Sequence, residues 1–501
     1  MASRFHFSKL SRVVICACSI IIMIIGCLLL ISSTRIKQVY GNCTFDQILF
    51  HLSLPWGTLN PGEIHRMTRI KGRYETQFVL LCLFAYCLSM VLMLNNVFYE
   101  WVKSKISCPL VYSFLLSVVV FSIGFWQFDR NFHVIRSIVQ LREKSQLIDE
   151  NYVENVLQDF RQVSASGKSL SKYEKPNLIL IVSESLEQTF ADSEICGDNL
   201  IPELEAFQKE GDCCRDFHSV YGCSYTIASL YAMQYGLPSI YLAAKSGRPL
   251  QENIFKKNCI SLFDILHHGG YRLEYLQAAS LKFANKEMLF KHIPGTLMLG
   301  NDEVSLDEYP ERGGWGLWDR DLFDKAKKEV SLLAAGKDPF CLHLLTVDAH
   351  SGNHLLPGAI SKYEGESRNI IGLQSKLISD FVAWIRKQPY AENTVIAIVG
   401  DHVMMTDILD GIKIAREKRR IFNCILNSKS NMPMRADRSA AMFDYGPTLL
   451  SALGFVWPSG GLGIGRSLYC DEKTILEKYG KAFYEQEMYK RSPKYMSLVF
   501  D

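Results

Sequence analysis

The chain has 501 residues, of which 48% are apolar, 12% are aromatic and only 21% are charged. This length allows two or three domains with a large core, and the apolar fraction excludes an intrinsically disordered protein. The 55 basic residues nearly balance the 52 acidic ones, for a net charge of +3. A chain-wide positive field is therefore excluded, and no nucleic-acid partner is expected.

Three stretches near the start of the chain contain no Asp, Glu, Lys or Arg: Val13 to Thr34, Thr76 to Tyr99 and Ile106 to Phe128. Each has the roughly 20 residues that a helix needs to cross a bilayer. We predict a three-helix membrane region over residues 1–128 with an external loop at about 35–75. The alternatives are a signal peptide for the first stretch, although its 22 uncharged residues are long for one, and buried helices of a soluble domain for the other two.

The distribution of Lys and Arg does not establish the orientation, because the loop carries six of them and the N-terminal tail only three. Three spans that start with the N-terminus inside would place everything after Phe128 outside. In the loop, residues 43–52 (CTFDQILFHL) have the pattern of a short amphipathic helix. A helix at the membrane interface and an ordinary loop helix fit that pattern equally well.

Residues 129–175 are charged and helix-like, and we predict that they form a connector. After Pro176 the pattern changes to short apolar runs that alternate with helical stretches; the runs are residues 177–183, 341–347, 394–399 and 420–426. Continuous apolar strands between helices are typical of a buried, largely parallel sheet, so we predict one α/β domain over residues 176–501. Of its eight cysteines, Cys341 and Cys424 fall in apolar runs and are expected to be buried thiols, whereas disulfides stay open for the rest.

Three of the apolar runs lead into side chains that can bind a cation. The run at 177–183 is followed by Glu184, and the run at 341–347 is followed by Asp348 and His350. The run at 394–399 leads into Asp401 and His402. In open α/β sheets, ligands bind beyond the carboxyl ends of the strands. Carboxylate and imidazole groups together at that edge predict a divalent metal site, although a turn or capping role is the common one for any of them alone.

The segment from Tyr221 to Pro238 offers a nucleophile. Small residues precede a helix that Gly236 and Pro238 end, and Thr226 stands at or just before its first turn. A hydroxyl there meets the positive end of the helix and the predicted metal, and both favour an alkoxide and a bound phosphate. Thr226 is therefore a candidate metal-bound nucleophile, although an N-cap without chemistry is the commoner role for a threonine at a helix start.

Together these residues resemble the membrane phosphoglycerol transferases of the alkaline-phosphatase and sulfatase fold, a group that includes phosphoglycerol transferase I and lipoteichoic acid synthase. The similar segments include PNLILIVSESLEQTF (176–190), YTIASLYAMQYGLP (225–238), LLTVDAHSG (344–352), GDH (400–402) and GLGIGRSL (461–468). The resemblance implies a sulfatase-like domain in which Glu184, Thr226, Asp401 and His402 bind one divalent ion. That ion is Mn²⁺ or Mg²⁺ in the synthases, and Zn²⁺ in the phosphoethanolamine relatives.

The resemblance also implies a reaction and a location. Thr226 would attack phosphatidylglycerol and release diacylglycerol, and a cell-envelope glycan would take the phosphoglycerol from the threonine, with His350 at the substrate phosphate. The domain would lie outside the bacterial cytoplasmic membrane on a multi-pass anchor. Gln277 and Lys286 align with the histidine and arginine of the synthases near the glycerol phosphate, and Asp348 is a third candidate substrate contact. The Lys286 ammonium is a point charge, whereas an arginine guanidinium can donate two parallel hydrogen bonds to a phosphate. This difference from the synthases favours addition of single groups over polymerisation.

Other functions stay open. A phosphoethanolamine transferase acting on a lipid or glycan is the nearest alternative, followed by a membrane-anchored phosphodiesterase and by a silent binding or sensor protein. Sulfatase activity itself lacks its nucleophile motif, because Cys223 is followed by Ser-Tyr-Thr and not by the C-x-P-x-R pattern.

Overall fold

The computed structural model describes residues 8–53, 73–106, 108–153, 175–240, 259–435, 437–457 and 459–499. The chain divides into one unit over residues 1–45 and 63–138 and a second over residues 46–62 and 139–501. The second unit thus takes in most of the predicted connector and a piece of the predicted external loop. The rest of that loop, from residue 54 to 72, and connector residues 154–174 lie outside the described residues.

In the part of the chain that the structure describes, seven helices precede the sheet: α1 (Lys9–Tyr40), α2 (Phe45–Ser53), α3 (Arg73–Leu92), α4 (Asn96–Lys105), α5 (Pro109–Phe132), α6 (Val134–Gln140) and α7 (Leu147–Asn151). Within the described ranges, two of them, α1 and α5, are long and apolar enough to cross a membrane. The middle predicted span is not one straight helix: it breaks into α3 and α4, which are bent by 109° relative to each other. The break coincides with Asn95, whose side chain accepts hydrogen bonds from two amides of α4 and so starts a new helix. A third span exists only if this bent pair counts as one.

The second unit is built on a six-stranded sheet in the spatial order β4-β3-β5-β1-β6-β9. The first five strands are parallel, and β9 runs antiparallel at one edge. In chain order the strands of the unit are β1 (Asn177–Ser183), β2 (Asp216–His218), β3 (Arg272–Gln277), β4 (Leu297–Leu299), β5 (Phe340–Leu345), β6 (Thr394–Gly400), β7 (Ile408–Leu409), β8 (Ile412–Lys413), β9 (Asn423–Leu426), β10 (Ser439–Ala441), β11 (Gly461–Leu462) and β12 (Gly465–Arg466). Every residue of β1, β5 and β6 is buried, which confirms the predicted largely parallel sheet.

Helices cover both faces of the sheet. Successive residues of β1 alternate between two hydrophobic cores, since Leu178 and Leu180 belong to one core and Ile179 and Ile181 to the other. The helices of this part are α8 (Ser193–Cys196), α9 (Pro202–Glu210), α10 (Thr226–Tyr235), α11 (Leu262–His268), α12 (Asp319–Ala334), α13 (Glu366–Ile385), α14 (Met442–Ala452), α15 (Ile475–Tyr479), α16 (Lys481–Glu487) and α17 (Pro493–Val499). The first core contains residues of α10 and α14, and the second contains residues of α12 and α13.

The cysteines are structural thiols. All fifteen lie within the described residues and each is free, so no disulfide joins them there. Cys341 and Cys424 are fully buried in β5 and β9, as expected from the apolar runs that hold them. Free buried cysteines pack as small hydrophobic side chains.

Candidate active site

Three buried side chains converge at the carboxyl edge of the sheet. Ser183 of β1 pairs in register with Gly400 of β6, so the residues that follow them, Glu184 and Asp401, leave the sheet side by side. The Nε2 atom of His402 is 3.6 Å from Glu184 Oε1 and 3.3 Å from Asp401 Oδ2. One ligand atom from each of these three residues lies within 4.8 Å of the other two. The arrangement is compact enough for all three to bind one ion.

The Thr226 hydroxyl reaches the same point from α10. Its Oγ1 donates to Glu184 Oε2 at 3.3 Å and lies 3.4 Å from His402 Nε2. Thr226 is the first residue of α10, and the N-cap position belongs to Tyr225. The Thr226 hydroxyl therefore does not cap the helix, which removes the simplest structural role for it. Ser229, one turn later, donates to the backbone carbonyl of Asp401 and ties α10 to the end of β6.

Neighbouring backbone groups orient the two ligands that follow β6. His402 Nδ1 is 2.8 Å from the Val403 carbonyl, so Nε2 faces the carboxylates. Asp401 Oδ1 accepts from the amides of Ser185 and His402, both at 2.8 Å. The other oxygen, Oδ2, is buried and has no hydrogen-bond partner among the described residues. Burial of a carboxylate oxygen without a hydrogen-bond partner costs free energy of folding unless a cation binds that oxygen.

The pKa values of Glu184 and His402 also indicate a cation site. Burial, and then the charge of Asp401, raise the pKa of Glu184 to about 7. Burial opposes a charged His402, but the charges of Asp401 and Glu184 outweigh it and raise the pKa of the imidazole. Negative charge is thus crowded in a dry site, and a divalent cation would relieve it. Two carboxylates, an imidazole and a hydroxyl are a donor set that fits Zn²⁺, Mn²⁺ or Mg²⁺.

A buried ion pair, absent from the sequence predictions, supports the loop after His402. Arg419 donates to the two carboxylate oxygens of Glu187 at 2.5 Å and 3.1 Å, and both side chains are buried. Glu187 Oε1 accepts from the Met404 amide at 2.7 Å, while Arg419 donates to the carbonyls of Met404 and Thr406. The pair holds the chain directly after the candidate metal ligands Asp401 and His402. No local signal marks it, because its members are 232 residues apart in sequence.

The predicted substrate residues Lys286 and His350 are linked to each other through two aromatic side chains. Lys286 is buried with its ammonium 4.4 Å from the centre of the Phe283 ring, and its charge acts to lower the pKa of Glu184. His350 follows β5 at the same sheet edge, and its ring centre is 4.0 Å from that of Trp315. Phe283 and Trp315 are themselves 5.4 Å apart, so the two aromatic residues connect Lys286 to His350. Neither aromatic residue was predicted to belong to the site.

Gln277 and Asp348, also predicted as substrate contacts, have partners within the protein. The Gln277 amide accepts from the Tyr275 hydroxyl at 2.7 Å and donates to the Ser280 carbonyl at 2.6 Å. Asp348 accepts from the amide of Asp319 at 3.0 Å, and Asp319 accepts from the Asp348 amide at 3.1 Å. These bonds hold the turn after β3 and the start of α12. Contact of either residue with a substrate stays a prediction.

Comparison with known proteins agrees with this fold. Residues 176–455 match the sulfatase family. The chain belongs to that family. This sulfatase-family chain is 30% identical over 335 residues to phosphoglycerol transferase I of Escherichia coli, a match that covers 62% of this chain and 43% of that protein. The match therefore spans less than half of the relative's length.

Two solved structures are also similar to the sulfatase-family chain. One is a protein of the alkaline phosphatase superfamily from Vibrio parahaemolyticus, with a TM-score of 0.49 and 22% identity over 64% of this chain and 81% of that one. The other is the lipoteichoic acid synthase LtaP of Listeria monocytogenes, with a TM-score of 0.49 and 16% identity over 59% of this chain and 76% of that one. The family match confirms the predicted sulfatase-like domain.

Proposed function

We propose that this protein is a metal-dependent phosphoglycerol transferase that works through a covalent intermediate on Thr226. The observation that carries the proposal is the convergence of the Thr226 hydroxyl with Glu184, Asp401 and His402 at one buried point. The similarity to phosphoglycerol transferase I supports the choice of the group transferred. We propose these four side chains as the ligands of one divalent ion, Mn²⁺ or Mg²⁺, with Zn²⁺ as the alternative.

The proposed reaction has two steps, formation of a phosphoglyceryl-threonine and transfer of its phosphoglycerol group to the acceptor. The cation, when bound, supplies positive charge that favours the threonine alkoxide and the phosphate oxygens. Thr226 Oγ1 loses its proton and forms a bond to the phosphorus of phosphatidylglycerol. The bond from phosphorus to the diacylglycerol oxygen breaks, and that oxygen takes up a proton. A hydroxyl of the glycan acceptor then attacks the same phosphorus and loses its proton, and the Thr226 oxygen leaves and is protonated.

We assign His350 and Lys286 to the substrate. In this proposal His350, a half-buried imidazole in the turn after β5, holds the phosphate or moves a proton to the leaving oxygen. Lys286, a buried residue whose charge acts on Glu184, neutralises a phosphate oxygen. Both assignments need only side chains of this domain.

The membrane helices fit a lipid donor. Because α1 and α5 can each cross a bilayer, we propose a multi-pass protein of the bacterial cytoplasmic membrane with the catalytic domain on its outer side. Phosphatidylglycerol is the proposed donor, and a cell-envelope glycan is the proposed acceptor.

The test is incubation of the full-length protein with phosphatidylglycerol or phosphatidylethanolamine, each labelled in its headgroup. We expect diacylglycerol from phosphatidylglycerol and a phosphoglyceryl adduct on Thr226, detected by mass spectrometry of the peptide. Release of diacylglycerol only from phosphatidylethanolamine would establish the phosphoethanolamine alternative. Full turnover without any glycan would establish a phosphodiesterase, and undiminished function after removal of the metal would refute metal-dependent catalysis.

A further inference from the structure

A helix from the start of the chain is part of the unit that carries the active site. Residues 46–62, which include all but the first residue of α2, belong to the second unit, although in sequence they stand between the apolar helices α1 and α3. Asp46, Gln47 and Phe50 of α2 are buried, whereas Leu52 is 76% exposed. The amphipathic pattern of this segment is therefore used to pack against protein.

The buried face of α2 contacts the turn that leads into the nucleophile helix. The ring of Phe50 is 5.9 Å from that of Tyr225, and the ring of His51 is 6.0 Å from it. Phe50 also belongs to the hydrophobic core that contains Tyr221 and Tyr225. Because Tyr225 directly precedes Thr226, a side chain of α2 touches the neighbour of the residue whose hydroxyl reaches the metal site.

Asp46 of α2 acts as a charge on the turn that contains Tyr221 and Tyr225. Burial raises the pKa of Tyr221 and of Tyr225 well above its ordinary value, and the charge of Asp46 is the next cause for both. The Asp46 side chain is itself only 2% exposed. The charge of Asp46 thus acts on both tyrosines of the turn from a buried position on α2.

The turn itself has little room for another conformation. Gly222 has a φ of +79°, in the left-handed region, and a Cβ atom there would lie 2.6 Å from Cβ of Pro238. Tyr221 also stacks on Tyr489 at a ring distance of 4.2 Å. The turn from Tyr221 to Tyr225 is thus packed from several sides, and α2 supplies one of them.

We propose that Phe50 is a positioning residue, whose ring holds this turn and thereby presents Thr226 to the metal cluster. Asp46, buried on the same helix, is a second point at which α2 can be perturbed. The catalytic part of this inference rests on the proposed function. Misplacement of a reacting group by about 1 Å can cost about 100-fold in rate, so loosening one wall of the turn has a measurable effect. The contact of Phe50 is with Tyr225, so we expect metal binding not to depend on it.

The experiment uses the full-length protein and measures hydrogen–deuterium exchange together with steady-state kinetics of diacylglycerol release. The variants are Phe50→Ala, which removes the ring, Phe50→Leu, which keeps most of its volume, and Asp46→Asn, which removes only the charge. Leu52→Ala is the matched control, because Leu52 is exposed on the same helix. The metal content and the melting temperature of each variant are measured in parallel.

For Phe50→Ala we expect amide exchange over residues 221–229 to rise by at least about 10-fold, with no change over 184–187 or 401–404. We expect kcat to fall by about 10- to 100-fold with KM and metal content nearly unchanged. Phe50→Leu should restore most of both properties. Asp46→Asn should act in the same direction, and Leu52→Ala should behave like the wild type.

Unchanged exchange over residues 221–229 in Phe50→Ala would overturn the inference, whatever the lipid assay gives. Equal increases at all three segments, with loss of metal and a lower melting temperature, would show a general loss of structure and would also overturn it. If the wild type released no diacylglycerol, the proposed function would fail, while the exchange data would still decide the role of α2.

Discussion

Replacement of Thr226 by alanine separates the chemistry of the site from its folding. The Thr226 hydroxyl donates one hydrogen bond of 3.3 Å to Glu184 and caps no backbone amide of α10. A hydrogen bond to a charged acceptor contributes about 1.5–3 kcal/mol to stability, and this long one belongs at the low end. Alanine recovers up to about 0.7 kcal/mol through its helix propensity. We therefore expect the free energy of unfolding to fall by only about 1 kcal/mol.

The expected effect of the same change on activity is far larger. Loss of a covalent nucleophile lowers kcat by about 10⁴- to 10⁶-fold, because the second half-reaction then has no intermediate to resolve. Thr226→Ser keeps a hydroxyl at the start of α10 and is the matched control, with activity expected within about 100-fold of the wild type. The assay is diacylglycerol release from phosphatidylglycerol, with denaturant unfolding and metal content measured on the same samples.

Two results would refute the reasoning. A Thr226→Ala protein that is folded and keeps more than about one tenth of wild-type kcat would show that the hydroxyl is not the nucleophile. A drop of about 4 kcal/mol or more in the free energy of unfolding would show that the side chain is structural, since that is above the usual range for a single substitution.

Three further changes probe the surroundings of the site. Asp401→Asn keeps the shape of the side chain but removes its charge, so we expect at least about 10-fold weaker Mn²⁺ binding by calorimetry; wild-type affinity would contradict its role as a ligand. Glu187→Gln removes the buried counter-charge of Arg419 and leaves only the partly exposed Asp407, 3.2 Å away, as its ionic partner. It should lower the free energy of unfolding by about 1.5–3 kcal/mol in denaturant, and a loss below about 1 kcal/mol would contradict that pair's role. Burial lowers the pKa of His343 from 6.5 to about 3. Below pH 6.5 the unfolded chain therefore binds a proton that the folded protein does not. The free energy of unfolding decreases as the pH is lowered, by about 2 kcal/mol at pH 5. His343→Leu should flatten this dependence between pH 7 and 5, and an unchanged slope would contradict the assignment.

The convergence of the metal cluster was predictable because it follows from local pattern. Glu184 and Asp401 each stand directly after a continuous apolar run, and residues that follow neighbouring parallel strands meet at one edge. The middle apolar stretch was predicted as one span because hydropathy records composition and not direction. The bend there depends on a cap at Asn95 that an average over the stretch does not register.

The internal partners of Gln277 and Asp348 could not be predicted in the same way. Each is a polar residue after a strand, as a substrate contact would be. Such a side chain can also form hydrogen bonds within the protein. The hydrogen-bond partners here are the Tyr275 hydroxyl for Gln277 and the Asp319 amide for Asp348. Their positions follow from the packing of β3 and α12, which no short window of sequence contains.

The sequence by itself determined the apolar helices, the buried parallel strands and the residue types that follow them, because these depend on composition and period within a few turns or strands. Only the tertiary structure decided that Arg419 pairs with Glu187 and that α2 packs on the turn before Thr226. Such contacts join segments that are far apart in the chain. They form only when the whole domain packs, because their free energy comes from burying specific surfaces against each other.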